Sequence, residues 1–232
     1  MNFLRTVALA DRFPHDFTIQ YPPRREFFQE RFRGQPDLAN LRSIRRLLLY
    51  IHVPFCEAKC HYCNFAVDTR SDPSIHARYI EGLVRQLDRL HDLLPQAPAI
   101  AGIDIGGGTP TILQPALLQR LLDALRPWQE RAEMPWPISI ETTPRIAADD
   151  RDLLVMLAQS GVDRISMGLQ STSVEVLAGI NRIAQVSQDA RAMENLRQAG
   201  FGRLNVDLIF GLPGQTRNHW QADLNDRARY CS

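Results

Sequence analysis

Five short apolar runs recur along this chain of 232 residues, each ending in a polar or glycine-rich loop, with amphipathic segments between them. That alternation predicts βα units wound around a parallel sheet, because parallel neighbours need a long crossover, usually helical, to bring the chain back. The expected strands are Leu47–Val53, Ile100–Ile105, Pro137–Glu141, Arg164–Leu169 and Leu204–Phe210. The first is a continuous apolar run, as a strand buried on both faces would be. Ile75, Tyr79, Leu83, Leu87 and Leu90 mark a helix over Ser74–Leu94. Further helices are expected over Pro115–Leu125, Asp149–Ser160, Ser173–Ala178 and Ser187–Ala199. Pro115 suits a first helical turn, and Gly161 the position just past a helix end. Beyond the fifth run, Asn225 to Ser232 shows little helical or strand pattern, so the chain is expected to end before the architecture closes.

In such sheets ligands bind at the carboxyl ends of the strands, so the five loops are expected to line one site. The first loop carries the clearest chemistry. Cys56, Cys60 and Cys63, three of the chain's four cysteines, follow the first strand in a CxxxCxxC run. Thiolates are soft ligands for iron and zinc, and one loop can converge three of them on a metal centre. A closed structural zinc site takes four ligands, and His52, His61 and His76 do not stand in a zinc-site frame. Three cysteines suit instead a [4Fe-4S] cluster with one iron left open. Disulfides would need an oxidising compartment, and Met1 to Asp11 lacks the apolar core and cleavage site of a secretory leader. The reading is therefore cytoplasmic, with Cys231 a lone thiol of no assigned role.

At 44% hydrophobic and 23% charged residues, the chain can bury one sizeable core. No apolar run approaches the ~18 residues of a spanning helix, so no membrane span is expected. A formal charge of +1 indicates no nucleic-acid partner. Arginines crowd the segment before Leu47, among Phe27, Phe28 and Phe32. That stretch is read as a solvated lead-in pinned by its aromatics. Two regions follow, an N-terminal extension over 1–46 and a core over 47–232.

The other loops hold less specific signals. Gly106, Gly107, Gly108 and Thr109 form neither a Walker nor a GxGxxG motif. Consecutive glycines leave no side chain to pack, so a ligand approaching the main chain is expected there. Glu141 and Asp207 could accept from an amine or from ribose hydroxyls, or else cap a helix or pair with Arg164 or Arg182. Gln170 and Arg182 could grip a carboxylate or tie loops together. Spacing leaves these alternatives open.

Six segments in order carry a resemblance: Tyr50 to Phe65, Gly106 to Thr111, Glu141 to Pro144, Arg164 to Ser171, Asn181–Arg182, and Asp207 to Thr216. Together they resemble the radical S-adenosylmethionine (SAM) enzymes related to oxygen-independent coproporphyrinogen III oxidase, over roughly Leu47 to Leu224. The resemblance implies an α/β fold, a partial (βα)6 barrel represented here by about five βα units. It implies a [4Fe-4S] cluster on Cys56, Cys60 and Cys63, with SAM on the open iron. Cleavage of SAM would give methionine and a 5′-deoxyadenosyl radical that abstracts a substrate hydrogen. Tyr50, Tyr62, Gly107, Gly108, Thr109, Glu141, Gln170, Arg182 and Asp207 match cofactor-binding positions of the family. The implied partners are a small-molecule substrate of the tetrapyrrole class and a reducing electron donor such as flavodoxin or ferredoxin.

Departures from the family pattern point to different branches and leave the choice among them open. The decarboxylating oxidase carries a further cysteine where this chain has Phe65, which resembles instead the heme-chaperone branch. The long segment before Arg46 is more like the oxidase or the radical SAM methyltransferase branch, the latter using two SAM molecules in methyl transfer or cyclopropanation. The sixth unit and the C-terminal domain of the family are expected to be missing, as in a truncated chain.

Overall fold

The structure, a computed structural model, describes residues 44–94, 98–134, 138–182 and 186–230. All of these belong to the unit Leu41–Ser232. Cys231 and all but the last three residues of the expected extension lie outside the described residues.

The described sheet has five parallel strands, β1 (Arg46–Val53), β2 (Ala99–Gly107), β3 (Ile138–Thr142), β4 (Val162–Gln170) and β5 (Arg203–Leu208). Their spatial order is their chain order, β1-β2-β3-β4-β5. Crossovers between parallel strands are right-handed, so a sequential order without reversal keeps the helices on one face, as in a barrel wall. A doubly wound sheet would instead reverse at a switch point.

The helices are α1 (Pro73–Leu93), α2 (Pro115–Gln129), α3 (Pro144–Asp149), α4 (Arg151–Gln159), α5 (Val174–Gly179), α6 (Val186–Ala199) and α7 (Arg217–Tyr230). Asp72 caps α1 by accepting from Ser74 N at 2.8 Å, and Pro73 follows at the position where its missing N–H costs nothing. One face of α1 then buries Ile80, Val84 and Leu87.

Strand residues alternate. Ile51, Val53, Ile103, Ile105, Ile138, Ile140, Ile165 and Met167 share one buried cluster with the helices. The intervening positions face the other way, and the register sets them in layers. Tyr50, Asp104, Ser139 and Arg164 stand level across β1 to β4. One step up, Glu141 stands beside Ser166, and above it Gly168 beside Asp207. The sheet thus presents an apolar wall to its helices and a polar wall opposite.

This corrects the expectation for β1. Its apolar run predicts burial on both faces, yet Leu48 is 63% and Tyr50 44% exposed. Among the described residues only one face of the strand meets helices.

Two helices also differ from expectation. The helix expected over Asp149–Ser160 is α4, but an unexpected short helix, α3, precedes it: Asp150 ends α3 and caps α4, accepting from Leu153 N at 2.9 Å. At the C-terminal end α7 covers a stretch with no visible apolar stripe. It is anchored by a polar residue: Asp223 is fully buried and accepts from the end of β4. Hydrophobic periodicity is blind to such an anchor.

Candidate functional site

The strand ends surround a cavity of about 280 Å³. Cys56, Cys60, Cys63 and all the cofactor-binding positions implied by the resemblance line it except Tyr50, whose hydroxyl lies 3.3 Å from His52 Nδ1 on the polar side of β1. Burial first, then the charge of Glu141, pushes the Tyr50 phenol up to about 12.

The cysteine loop is stitched in place at several points. Phe55, 1% exposed, packs on His76 and Tyr79 with ring centroids 4.0 and 5.3 Å away. Gly108 N donates to Val53 O at 2.8 Å and Thr109 N to Phe55 O at 2.7 Å, which joins the loop's stem to the glycine loop. Cys56 N donates to Asp68 O. Farther along, the segment after α5 holds the loop. Asn181, at φ +57°, donates through Nδ2 to Lys59 O at 2.9 Å, and His61 N donates to Ile180 O at 3.0 Å. Arg145, at the start of α3, pairs with Glu57.

The three glycines answer to protein neighbours. A Cβ on Gly108 would lie 2.5 Å from Phe55 O, with Pro54 backbone beside it. Gly107 adopts φ +114° over the His52 ring, and Gly106 lies under the Glu141 carboxylate. Backbone packing thus accounts for Gly108 and a positive φ for Gly107, whereas Gly106 meets only the movable end of the Glu141 side chain.

Glu141 and Asp207 pair with no arginine among the described residues. Glu141 accepts from Gly107 N at 3.1 Å, and Asp207 from Ser166 Oγ at 3.1 Å and Asn205 Nδ2 at 2.7 Å. Burial pushes the Glu141 carboxyl above its ordinary range and the charges of Asp207 and Asp104 add to this, while the Gly107 N–H opposes it. Gln170 sits at φ +70°, a conformation that is uncommon outside glycine, and its Oε1 is buried with no hydrogen-bond donor. Arg182 donates to Gly168 O and to Tyr62 OH at 3.4 Å, and reaches Cys60 Sγ at 3.8 Å.

These groups suit an iron–sulfur cluster and a small cationic ligand. Cys56, Cys60 and Cys63 are free, partly buried thiols on one cavity wall. Among the described residues no three metal-ligating side chains converge as for a single ion. A cluster takes its thiolates at separate iron corners, so it does not require such convergence. The orphaned Gln170 Oε1 calls for a donor, and Glu141 and Asp207 place negative charge in the same cavity.

Sequence reasoning missed several participants. Arg145 directly follows the segment ending at Pro144, and Asn181 lies within the Asn181–Arg182 segment without having been given a role, so both had a usable signal. Asp189 also lines the cavity. It sits in an amphipathic helix with nothing in the sequence to distinguish it from a solvated acid.

A family model described as the radical SAM superfamily matches residues 50–226. The heme chaperone HemW of Lactococcus lactis is 35% identical over 175 residues, covering 75% of this chain and 44% of that protein. An oxygen-independent coproporphyrinogen III oxidase of Synechocystis sp. is 32% identical over 217 residues, covering 90% of this chain and 45% of the other. Among solved structures, coproporphyrinogen III oxidase (HemN) from Escherichia coli, a radical SAM enzyme, superposes with TM-score 0.77 at 30% identity. That match covers 97% of this chain and 50% of HemN. The chain thus spans about half the length of the relatives it matches. No described helix is long and apolar enough to cross a membrane.

Proposed function

The chain belongs to the radical SAM superfamily, whose cofactors are a [4Fe-4S] cluster and SAM, and on that premise we propose that its cavity assembles both for tetrapyrrole chemistry in the cytoplasm. One observation carries the reading: three free thiols share a cavity with an orphaned acceptor, two carboxylates and an arginine. Cys56, Cys60 and Cys63 would hold the cluster. When bound, the cluster and SAM supply a single electron and a 5′-deoxyadenosyl radical that abstracts a substrate hydrogen.

The chain's own residues bind, orient and exclude water. Glu141, Asp207 and Gln170 would accept from the amine and ribose hydroxyls of SAM, and Gly107, Gly108 and Thr109 would offer backbone. Arg182 holds the cysteine loop against β4 and would attract the ligand's carboxylate. Tyr62 backs Arg182 from within the cysteine loop. Tyr50 would act from the layer below, next to His52. A small electron donor of the flavodoxin or ferredoxin type would deliver the electron at the exposed cysteine loop.

A second reading, a heme chaperone that binds and transfers heme, is favoured by Phe65, which is 47% exposed on the cavity wall where the oxidase pattern has a cysteine. The HemW relatives support it equally.

Reconstitution with iron and sulfide under nitrogen tests the first claim. The expected result is a chain-bound four-iron cluster and dithionite-dependent release of 5′-deoxyadenosine, both lost in Cys56→Ala. Neither appearing in the wild type would sink the proposal. Stoichiometric heme uptake without turnover of a porphyrinogen would select the second reading.

A further inference from the structure

Asp189 lies in the first turn of α6 and lines the cavity, yet no role above uses it. It is 7% exposed, and among the described residues no hydrogen bond or ion pair meets its carboxylate. The other acids of the deep wall are accounted for, Glu141 by the Gly107 N–H and Asp207 by Ser166 and Asn205. An acid in a first turn favours the helix dipole, but that benefit needs no burial. A carboxylate largely withdrawn from water without a protein donor is unfavourable, and here an occupant of the cavity is what could complete it.

Two charges face it. Arg182 opposes its isolation, but that guanidinium is engaged with Gly168 O and Tyr62, and it makes no ion pair with Asp189 among the described contacts. Asp226 of α7 repels it. Burial foremost, with Asp226 adding, pushes the Asp189 carboxyl up to about 6. Asp189 is thus a largely buried acceptor on the cavity wall to which the described residues supply no donor.

We propose that Asp189 is a binding residue that accepts an N–H or ammonium group of the molecule held in the cavity. The inference rests on the cofactor and substrate reading above and adds an orientation to it: the occupant turns a nitrogen donor toward α6. That chemistry has two sources there, the amino groups of SAM and the pyrrole N–H groups of a tetrapyrrole.

The test compares wild type, Asp189→Asn and Asp189→Ala as full chains under nitrogen. Affinity is measured by titration with SAM for the reconstituted chain and with coproporphyrin III by fluorescence. Thermal midpoints of the cluster-free chains are measured in parallel. Asp189→Asn keeps the shape and removes the charge, so its affinity for one probe should fall about tenfold or more, and Asp189→Ala should fall further. The cluster-free midpoint of Asp189→Asn should stay level or rise, because a buried charge without a partner is gone. That opposition between weaker binding and undiminished stability is the mark of a ligand-binding group. Loss confined to SAM assigns the donor to SAM, and loss confined to coproporphyrin assigns it to the substrate. Affinities for both probes within twofold of wild type would overturn the inference, as would a lower midpoint in Asp189→Asn. A wild type that binds neither probe would defeat the underlying reading, and this inference with it.

Discussion

Asp223→Ala should be the most damaging single change outside the cysteine loop. Asp223 is 0% exposed and accepts from Ser171 Oγ at 3.1 Å, Thr172 N at 2.6 Å, Thr172 Oγ1 at 2.8 Å and Gln215 Nε2 at 3.1 Å. Each hydrogen bond to a charged acceptor contributes about 1.5–3 kcal/mol in isolation, but these share one carboxylate and do not add. Removing the carboxylate leaves several neutral donors without an acceptor at about 1–3 kcal/mol each, so about 3–5 kcal/mol is expected for the set. Ser171 is itself 0% exposed, so its hydroxyl would be stranded. For a domain of this size that loss corresponds to roughly 6–20 °C in Tm.

Urea unfolding followed by circular dichroism would measure it, with Asp223→Asn expected to fall between wild type and alanine. The consequence reaches the cavity, because Ser171 adjoins Gln170 and Gln215 also binds Gly211 N and Ile209 O. SAM affinity should therefore weaken along with stability. A loss below about 1 kcal/mol, the scale of an exposed pair, would refute the reasoning.

Two further outcomes follow from the same geometry. Gly108→Ala places a Cβ 2.5 Å from Phe55 O, where only backbone could yield. It should cost about 1–3 kcal/mol by overpacking and lower the iron retained per chain after desalting; full retention at wild-type stability would show that the loop stem is slack. Asp189, with its pKa raised in the folded chain, binds more protons folded than unfolded, so its contribution to stability is greatest at low pH. That contribution should be lost between pH 3.8 and about 6, and Asp189→Asn should lack this slope in pH-dependent urea midpoints. Parallel slopes in the two proteins would place the carboxyl in water.

How much was legible in the sequence depended on the range of the interaction behind each feature. The cysteine loop was legible because its three thiols lie within one short segment directly after a strand, so no long-range geometry is needed to bring them together. The alternation of strands and helices was legible because apolar period is a local property. Glu141, Gln170 and Asp207 could be placed at strand ends, but their surroundings could not. Ser166 and Asn205 reach Asp207, and Gly107 reaches Glu141, only through strand register.

Features held by single polar contacts were illegible. Helix α7 has no apolar stripe and is held instead through Asp223, and the one-sided burial of β1 depends on which face the helices cover.

By itself the sequence determined the family, the parallel βα architecture and the thiols that would hold a cluster, since each is written in residues close together in the chain. Tertiary structure alone decided that Gly108 is demanded by backbone packing, that Gln170 Oε1 is buried without a donor among the described residues, that Asp189 is 7% exposed, and that Gln170 and Asp189 line one cavity. Burial and partner satisfaction are properties of the whole assembled wall, and no window along the chain contains them.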